Sequence, residues 1–123
     1  MSPYRKLVVW EKAMALADAV YALSRRVPKE EQYRLTSQLI RAAISIPANL
    51  AEGYMRGTRK DYAHFVGIAR GSCAEVETFL LLADRAGLAS SDRIAPVLDQ
   101  AEEVGRMLTR LRERLQQPPG PRP

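Results

Sequence analysis

The sequence predicts an all-α protein, an antiparallel up-down-up-down four-helix bundle. Apolar residues recur at helical spacing, Pro and Gly residues divide the chain into four segments of similar length, and no segment alternates like a β-strand. The connections between the segments are short, so each helix should run antiparallel to the next. We therefore expect one bundle domain over residues 1–117 and a disordered Pro/Gly tail over residues 118–123.

The first two helices are separated by Pro28. The apolar face that predicts the first helix consists of Trp10, Ala13, Met14, Ala17, Val20 and Tyr21. This helix should end before Val27. The second helix should start after Pro28, with Glu30 and Glu31 in an opening turn where negative charge suits the helix dipole, and should run to about Arg56.

Gly57 is expected to end the second helix, and Thr58 to cap the third, which should stop near Gly87. The fourth helix should begin at Ser90 or Ser91. The third helix carries on its apolar face Tyr62, Phe65, Val66, Ala69, Cys73, Val76 and Leu80. The fourth carries Ile94, Val97, Leu98, Ala101, Val104, Leu108, Leu111 and Leu115.

The second helix is apolar over most of its circumference between Leu39 and Glu52. One bundle core cannot cover so wide an apolar surface, so we expect part of it to form a subunit interface. Pro47 lies in the middle of this helix, where it lacks an N–H donor and clashes with the carbonyl of Ala43. We therefore expect a bend between Ala43 and Pro47.

The polar residues of this segment follow one narrow stripe, made of Arg41, Ser45, Asn49 and Glu52. The stripe either faces solvent or forms a buried hydrogen-bonded network with Glu75 of the third helix, in which Arg41 offsets a carboxylate. Both interpretations give these five residues a structural role.

The composition excludes some classes of protein and favours others. No apolar stretch approaches the about 20 residues that a membrane span needs, and the first residues lack the apolar region of a signal peptide. We expect a cytoplasmic protein that does not enter a membrane. The formal net charge is +5, and 15 of the 19 basic residues are arginine, whose planar guanidinium binds phosphate through two hydrogen bonds. This balance favours a nucleic-acid partner; alternatively, a GC-rich genome encodes Arg in place of Lys and the charges only solvate helices.

Residues for catalysis or metal binding do not come together in the sequence. The only histidine, His64, follows Asp61 by three residues, which makes at most half of a metal site of the four-helix-bundle type. The only cysteine, Cys73, lies in an apolar stretch and is interpreted as a small core residue. We expect no enzymatic activity, no metal and no cofactor.

The predicted topology gathers basic residues at one end of the bundle. The N-terminus, the loop between the second and third helices and the C-terminus share this end, which we call the basic pole. Its residues are Arg5, Lys6, Arg56, Arg59, Lys60, Arg110, Arg112 and Arg114. The nearby acids are mainly Asp61 and Glu113, whereas acids and bases are closer to balance at the opposite end. We expect the basic pole to bind the phosphates of a nucleic acid.

Three stretches resemble a known family of four-helix bundle proteins, those encoded within intervening sequences of bacterial 23S ribosomal RNA genes. The stretches are YRKLVVWEKA (residues 4–13), QLIRAAISIPANLAEG (38–53, followed by Arg56) and FVGIARGSCAE (65–75). The resemblance covers about residues 4–88, and the fourth helix matches in pattern only. The family's motif falls on Arg41, Asn49, Glu52, Gly53, Gly71, Ser72 and Glu75, which the resemblance implies set helix packing and the polar network.

The resemblance implies a basic homo-oligomer, typically a pentamer, that has no enzymatic activity. More distant relatives are accessory proteins of the reverse transcriptases of diversity-generating retroelements, so such an enzyme is a possible protein partner. Two hypotheses follow. The protein is an oligomeric accessory protein that binds RNA or DNA through the basic pole, or it is an interaction scaffold whose apolar second helix docks a partner protein.

Overall fold

The computed structural model describes residues 2–118, and nearly all of this part of the chain is helical. A 3₁₀ turn, Pro3–Lys6, precedes four helices: α1, Val8–Ser24; α2, Ser37–Met55; α3, Arg59–Arg85; and α4, Ser91–Gln116. Between residues 2 and 118 no strand is present. The predicted all-α four-helix bundle is confirmed, while the predicted tail lies outside the described residues except for Pro118.

The helices pack in a closed square in chain order, because each contacts the next and α4 also contacts α1. Contacts between α2 and α3 run in opposite directions along the two helices: Ser45 meets Ser72, and Gly53 meets Phe65. The 3₁₀ turn at the N-terminus packs against α2 as well as α1. This arrangement is that of an up-down-up-down bundle.

The core contains most of the predicted apolar stripes, but the face of α1 was wrong at two positions. Met14 and Tyr21 are 40% and 43% exposed, whereas Leu16 and Leu23 are buried. The buried face is centred on Leu16 and Val20, so Met14 and Tyr21 lie at its edge, on the side that α1 turns toward α2. Their large apolar side chains therefore remain partly on the surface.

The start of the second helix also differs from the prediction. Residues Lys29–Glu31 form a 3₁₀ turn, Gln32–Thr36 form a wider π turn, and α2 begins only at Ser37. Helices in proteins are held mainly by burying an apolar face. Gln32, Tyr33 and Arg34 are all exposed, so this segment lacks the packing that would fix an α-helix.

The predicted helix ends are confirmed. Gly57 has φ 88°, and the hydroxyl of Thr58 accepts a hydrogen bond from the N–H of Asp61 as the N-cap of α3. At the other end of α3, Gly87 has φ 67°, and the N–H of Leu88 reaches back to the carbonyl of Ala83. The positive φ of Gly87 and this hydrogen bond are the features of a Schellman motif.

The surplus apolar surface predicted for α2 lies on the outer face that this helix shares with α1. Ile44 is 44% exposed and Met55 60% exposed, and Ala48 between them is exposed too. Because α1 and α2 are antiparallel neighbours, Met14 and Tyr21 of α1 border the same face. We call Met14, Tyr21, Ile44, Ala48 and Met55 the apolar face.

Pro47 lies buried inside the continuous helix α2, and the bend expected there stays a prediction. Within residues 2–118, no helix has both the length and the apolar character that a bilayer span requires.

Candidate nucleic-acid interface

The basic pole is built from three parts of the chain. The guanidinium of Arg59, in the first turn of α3, donates a hydrogen bond of 2.6 Å from Nη2 to the carbonyl oxygen of Arg114, in the last turn of α4. The 3₁₀ turn that carries Arg5 and Lys6 packs against α1 and α2. The start of α1, the loop between α2 and α3 and the end of α4 therefore meet at one end of the bundle, as the topology predicted.

Two of the eight predicted cations have structural partners. Arg56 donates a hydrogen bond of 2.5 Å to Glu52, four residues earlier on α2, and its Cζ lies 5.0 Å from the centre of the Phe65 ring. The hydrogen bond and the charge of Glu52 raise the pKa of Arg56. Arg59 holds the carbonyl of Arg114. Both guanidinium groups thus stabilise the junction of the helices in addition to any contact with a ligand.

Arg112 does not point away from the end of the bundle. Its guanidinium lies across α3 above Gly67, so that a Cβ at position 67 would be 3.2 Å from Nε. That Nε is buried and has no hydrogen-bond partner among the described residues. Gly67 therefore makes room for the Arg112 side chain, which places this charge on the flank of the basic pole beside His64 and Arg70.

The five remaining cations, Arg5, Lys6, Lys60, Arg110 and Arg114, are exposed. Within residues 2–118, none of their charged groups forms an ion pair with a carboxylate or a side-chain hydrogen bond; the ion pairs there are Lys12–Glu103, Arg34–Glu31 and Arg56–Glu52. Five unpaired positive side chains at one end of a small bundle produce a local positive potential.

A cleft of about 300 Å³ opens at the basic pole between α1 and the last turns of α4. Its apolar walls include Leu7, Val8, Met107 and Leu111, and its polar groups come from Arg110, Arg114 and Tyr62. No carboxylate occurs among its described lining residues. Burial raises the pKa of Tyr62 and the phenol of Tyr54 adds to the effect, although the charge of Arg114 opposes it.

The groove between α3 and α4, next to this cleft, is electrically mixed. It is lined by Arg70, Arg106 and Arg110, together with Glu77, Glu102 and Glu113. Burial and the nearby charge of Glu102 raise the pKa of Glu77, although Arg106 opposes the shift. Acids that face the arginines make this groove a poorer phosphate site than the cleft.

The polar network predicted around α2 is smaller than expected. The hydroxyls of Ser45 and Ser72 lie 2.8 Å apart, and Nδ2 of Asn49 donates to the carbonyl and the hydroxyl oxygen of Ser45, at 2.8 and 2.9 Å. The predicted members Arg41, Glu52 and Glu75 are exposed instead, and Glu52 pairs with Arg56. Both carboxylates remain at the surface this way, which avoids the cost of burying charge.

Ser72 is the network member that was not predicted from geometry, although the family resemblance included it. It lies three residues after Ala69 and four before Val76, so the helical stripe itself marks it as a polar residue on a buried face.

The family resemblance also included Gly53 and Gly71, and the structure gives the two glycines different roles. A Cβ at Gly53 would lie 2.6 Å from the Cβ of Phe65, whereas nothing lies within 4 Å of one at Gly71. Gly53 sets the close approach of α2 and α3, and Gly71 does not set helix packing.

Cys73 occupies the core environment expected for it, and His64 lies on the surface. Cys73 is buried in the core and donates from Sγ to the carbonyl oxygen of Ala101 at 3.1 Å. Burial, and to a lesser degree the charge of Glu77, raises the pKa of its thiol to about 12. His64 is exposed near the start of α3, beside the ring of Phe65. Among residues 2–118, no group of three or more His, Cys, Asp or Glu residues could hold a metal ion.

The fold and the charged end define a small four-helix bundle with a basic pole. The sequence model of the 23S rRNA-intervening sequence protein family matches residues 5–110, and the chain belongs to that family. A solved structure of a protein with unknown function from the S23 ribosomal protein family of Bacteroides thetaiotaomicron has the same fold. It superposes with a TM-score of 0.80 at 22% sequence identity, over 86% of this chain and 99% of that chain. A search of curated proteins gives no significant match.

Proposed function

We propose that this chain is a non-enzymatic, oligomeric accessory protein that binds nucleic acid, and RNA in particular, through the basic pole. The observation that carries the proposal is the set of five exposed cations at one end of the bundle with no carboxylate partner in the described residues. Proteins bind nucleic-acid backbones mainly by replacing counterions with Lys and Arg, and such binding needs no enclosed active site.

The contrast between the two ends of the bundle supports a specific surface over a uniformly basic protein. At the opposite end, Arg34 pairs with Glu31, and the carboxylate of Asp84 accepts a hydrogen bond from Ser91. Arg93 and Asp92 line one groove there together with Arg25 and Arg26. The eight basic residues of the basic pole are accompanied by three acids, Glu52, Asp61 and Glu113, which leaves a net charge of +5. At the opposite end six basic residues (Arg25, Arg26, Lys29, Arg34, Arg85 and Arg93) are accompanied by four acids (Glu30, Glu31, Asp84 and Asp92), which leaves +2.

Assembly into a homo-oligomer is the second part of the proposal, and the apolar face supports it. Ile44, Ala48 and Met55 are exposed on α2, and Met14 and Tyr21 are partly exposed on the neighbouring helix α1. Exposed apolar surface of this extent on a small bundle favours association. A ring built through this face would repeat the basic pole around its axis and multiply the phosphate contacts. The family resemblance favours a pentamer.

The same apolar face is the observation that favours the alternative function, a scaffold that docks a partner protein such as a reverse transcriptase. The two functions make different predictions for charge. A scaffold would keep its interaction when the basic pole is reversed, whereas a nucleic-acid-binding protein would not.

The test reverses charges that have no structural partner. Lys6→Glu, Lys60→Glu and Arg110→Glu are combined, which leaves the bonds of Arg56 and Arg59 intact. The matched control, Arg25→Glu, Arg26→Glu and Arg93→Glu, makes the same change in net charge at the opposite end. We expect the first variant to lose at least about tenfold in RNA affinity at low salt, because several phosphate contacts are removed. The control should lose much less. Equal losses in the two variants would mean that only net charge matters.

A further inference from the structure

We propose that the cleft at the basic pole holds one unpaired nucleotide, so that the protein prefers single-stranded over double-stranded RNA. This inference rests on the proposed function and adds the form of the nucleic acid and the place where a base is held. The cleft lies between Leu7 and Val8 at the start of α1 and Leu111 near the end of α4.

The size of the cleft fits a small ligand. Its volume of about 300 Å³ is at the lower end of the range of about 300–1,000 Å³ found for small-molecule sites. A duplex presents a continuous phosphate surface with its bases stacked inside, so no base of a duplex can enter so narrow an opening. An unpaired base is flexible enough to turn into it.

The chemistry of the walls matches the two parts of a nucleotide. Val8, Met107 and Leu111 provide apolar surface for the flat face of a base, and the thioether of Met107 adapts to an aromatic ring. Arg110 and Arg114 lie on the rim and carry the positive charge that a phosphate requires. An aliphatic ligand would gain nothing from the arginines, and an inorganic anion would gain nothing from the apolar walls.

The backbone at Arg114 is held by another helix. Its carbonyl accepts the hydrogen bond from Arg59, which anchors the last turn of α4 beside the start of α3. Tyr62 lines the same cleft, and Tyr54 packs against Tyr62 edge to face at 5.6 Å between ring centres. The phenol of Tyr62 is a hydrogen-bond donor for a base carbonyl or a phosphate oxygen. These contacts hold the backbone of Arg114 and the ring of Tyr62 at the cleft.

Val8 permits a test that leaves every cation in place. It is 60% exposed at the first position of α1, so a larger side chain there fills the mouth of the cleft without entering the core. The variant is Val8→Trp. The matched control is Leu82→Trp, since Leu82 is 48% exposed on α3 and is not among the residues that line the cleft.

The experiment measures the affinity of the full chain for three RNAs at one low salt concentration. These are a ten-nucleotide single strand, the same strand with abasic sites and unchanged charge, and a duplex with the same number of phosphates per strand. We expect the wild type and Leu82→Trp to bind the intact single strand at least about tenfold more tightly than the abasic strand. A difference of this size lies within the range that one well-packed base contributes to affinity. Val8→Trp should bind the intact and the abasic strand equally well and should keep its affinity for the duplex.

Each other outcome identifies which proposal has failed. Equal affinity of the wild type for the intact and the abasic strand overturns the nucleotide cleft and leaves the basic pole as a phosphate surface. If Val8→Trp still binds the intact strand more tightly than the abasic strand, bases bind elsewhere, and the nucleotide cleft is again overturned. No binding of any RNA overturns the proposed function together with the cleft.

Discussion

Arg59 and Arg114 are joined by a hydrogen bond of 2.6 Å from the guanidinium Nη2 of the first to the carbonyl oxygen of the second. The bond links two helix ends that are 55 residues apart in sequence. It satisfies one of the carbonyls that the last turn of a helix leaves without a partner, and it places a positive charge at the negative end of the α4 dipole.

Replacing Arg59 with Gln should loosen the last turn of α4. We expect faster amide hydrogen exchange in residues 112–116, because the anchoring donor is lost, while the core of the bundle keeps its protection. Arg59→Lys is the control for charge, since it keeps the positive charge and loses the planar guanidinium group. If Arg59→Gln left exchange in that turn unchanged, the bond would not be anchoring α4.

Gly53 and Gly71 give a matched pair of glycine substitutions. Gly53→Ala should destabilise the protein by about 1–3 kcal/mol, because its Cβ would lie 2.6 Å from the Cβ of Phe65 and α2 must move away from α3. Gly71→Ala meets nothing within 4 Å and should be stabilising by up to about 1 kcal/mol through its better helix propensity. Urea unfolding measures both changes, and equal effects of the two substitutions would contradict the close approach at Gly53.

Cys73 should make the stability depend on pH in the alkaline range. The pKa of its thiol is about 12 in the folded protein and near 9.0 when unfolded, so the thiol contributes stability that is complete below pH 9.0. That contribution should be lost progressively as the pH rises from 9.0 toward about 12, because only the unfolded state releases the proton easily. The Cys73→Ala variant has no thiol at this position, so it should not lose stability in this way.

The measurement is the free energy of unfolding of the wild type minus that of Cys73→Ala as a function of pH. Tyrosine and lysine residues titrate in both proteins, so their contributions largely cancel in the difference. We expect the difference to fall above pH 9.0. A difference that stays constant across this range would show that the thiol titrates normally in the fold.

Ile44 tests the proposed subunit interface. Ile44→Asp introduces a charge into the middle of the apolar face and should dissociate the oligomer, since burying an unpaired carboxylate at an interface is costly. Leu82→Asp is the control, with a similar exposure on α3 and away from that face. Light scattering at micromolar concentration provides the readout, and a monomeric wild type would refute the oligomer directly.

Much of the bundle could be predicted because its signals are local. Gly57 and Gly87 have the positive φ angles that their positions after a helical stripe imply, and Thr58 caps α3 through its side chain. Such signals depend on one residue and its immediate neighbours. The basic pole was also predictable, because the order of the helices alone brings the two termini and the second loop together.

The errors arose where the outcome depends on a neighbouring helix. The period of α1 allows Met14 and Tyr21 to lie on the core face, but packing in the bundle buries Leu16 and Val20 and leaves Met14 and Tyr21 40% and 43% exposed. The position of Arg112 likewise depends on the space above Gly67 of another helix. On α3 it is Ser72 that lies beside Ser45, while Glu75 is exposed. The cleft was missed since its walls come from three helices, and its apolar residues look like ordinary core positions in each one.

The central claim, that the basic pole binds RNA, is tested most directly by the salt dependence of binding. Affinity of the wild type for a single-stranded RNA is measured from about 50 to about 200 mM salt, a range over which phosphate contacts dominate the change. With four or more cations engaged, log affinity should fall against log salt with a slope of about 3 or steeper. Absence of binding at the lowest salt, or an affinity that does not change with salt, would contradict the account.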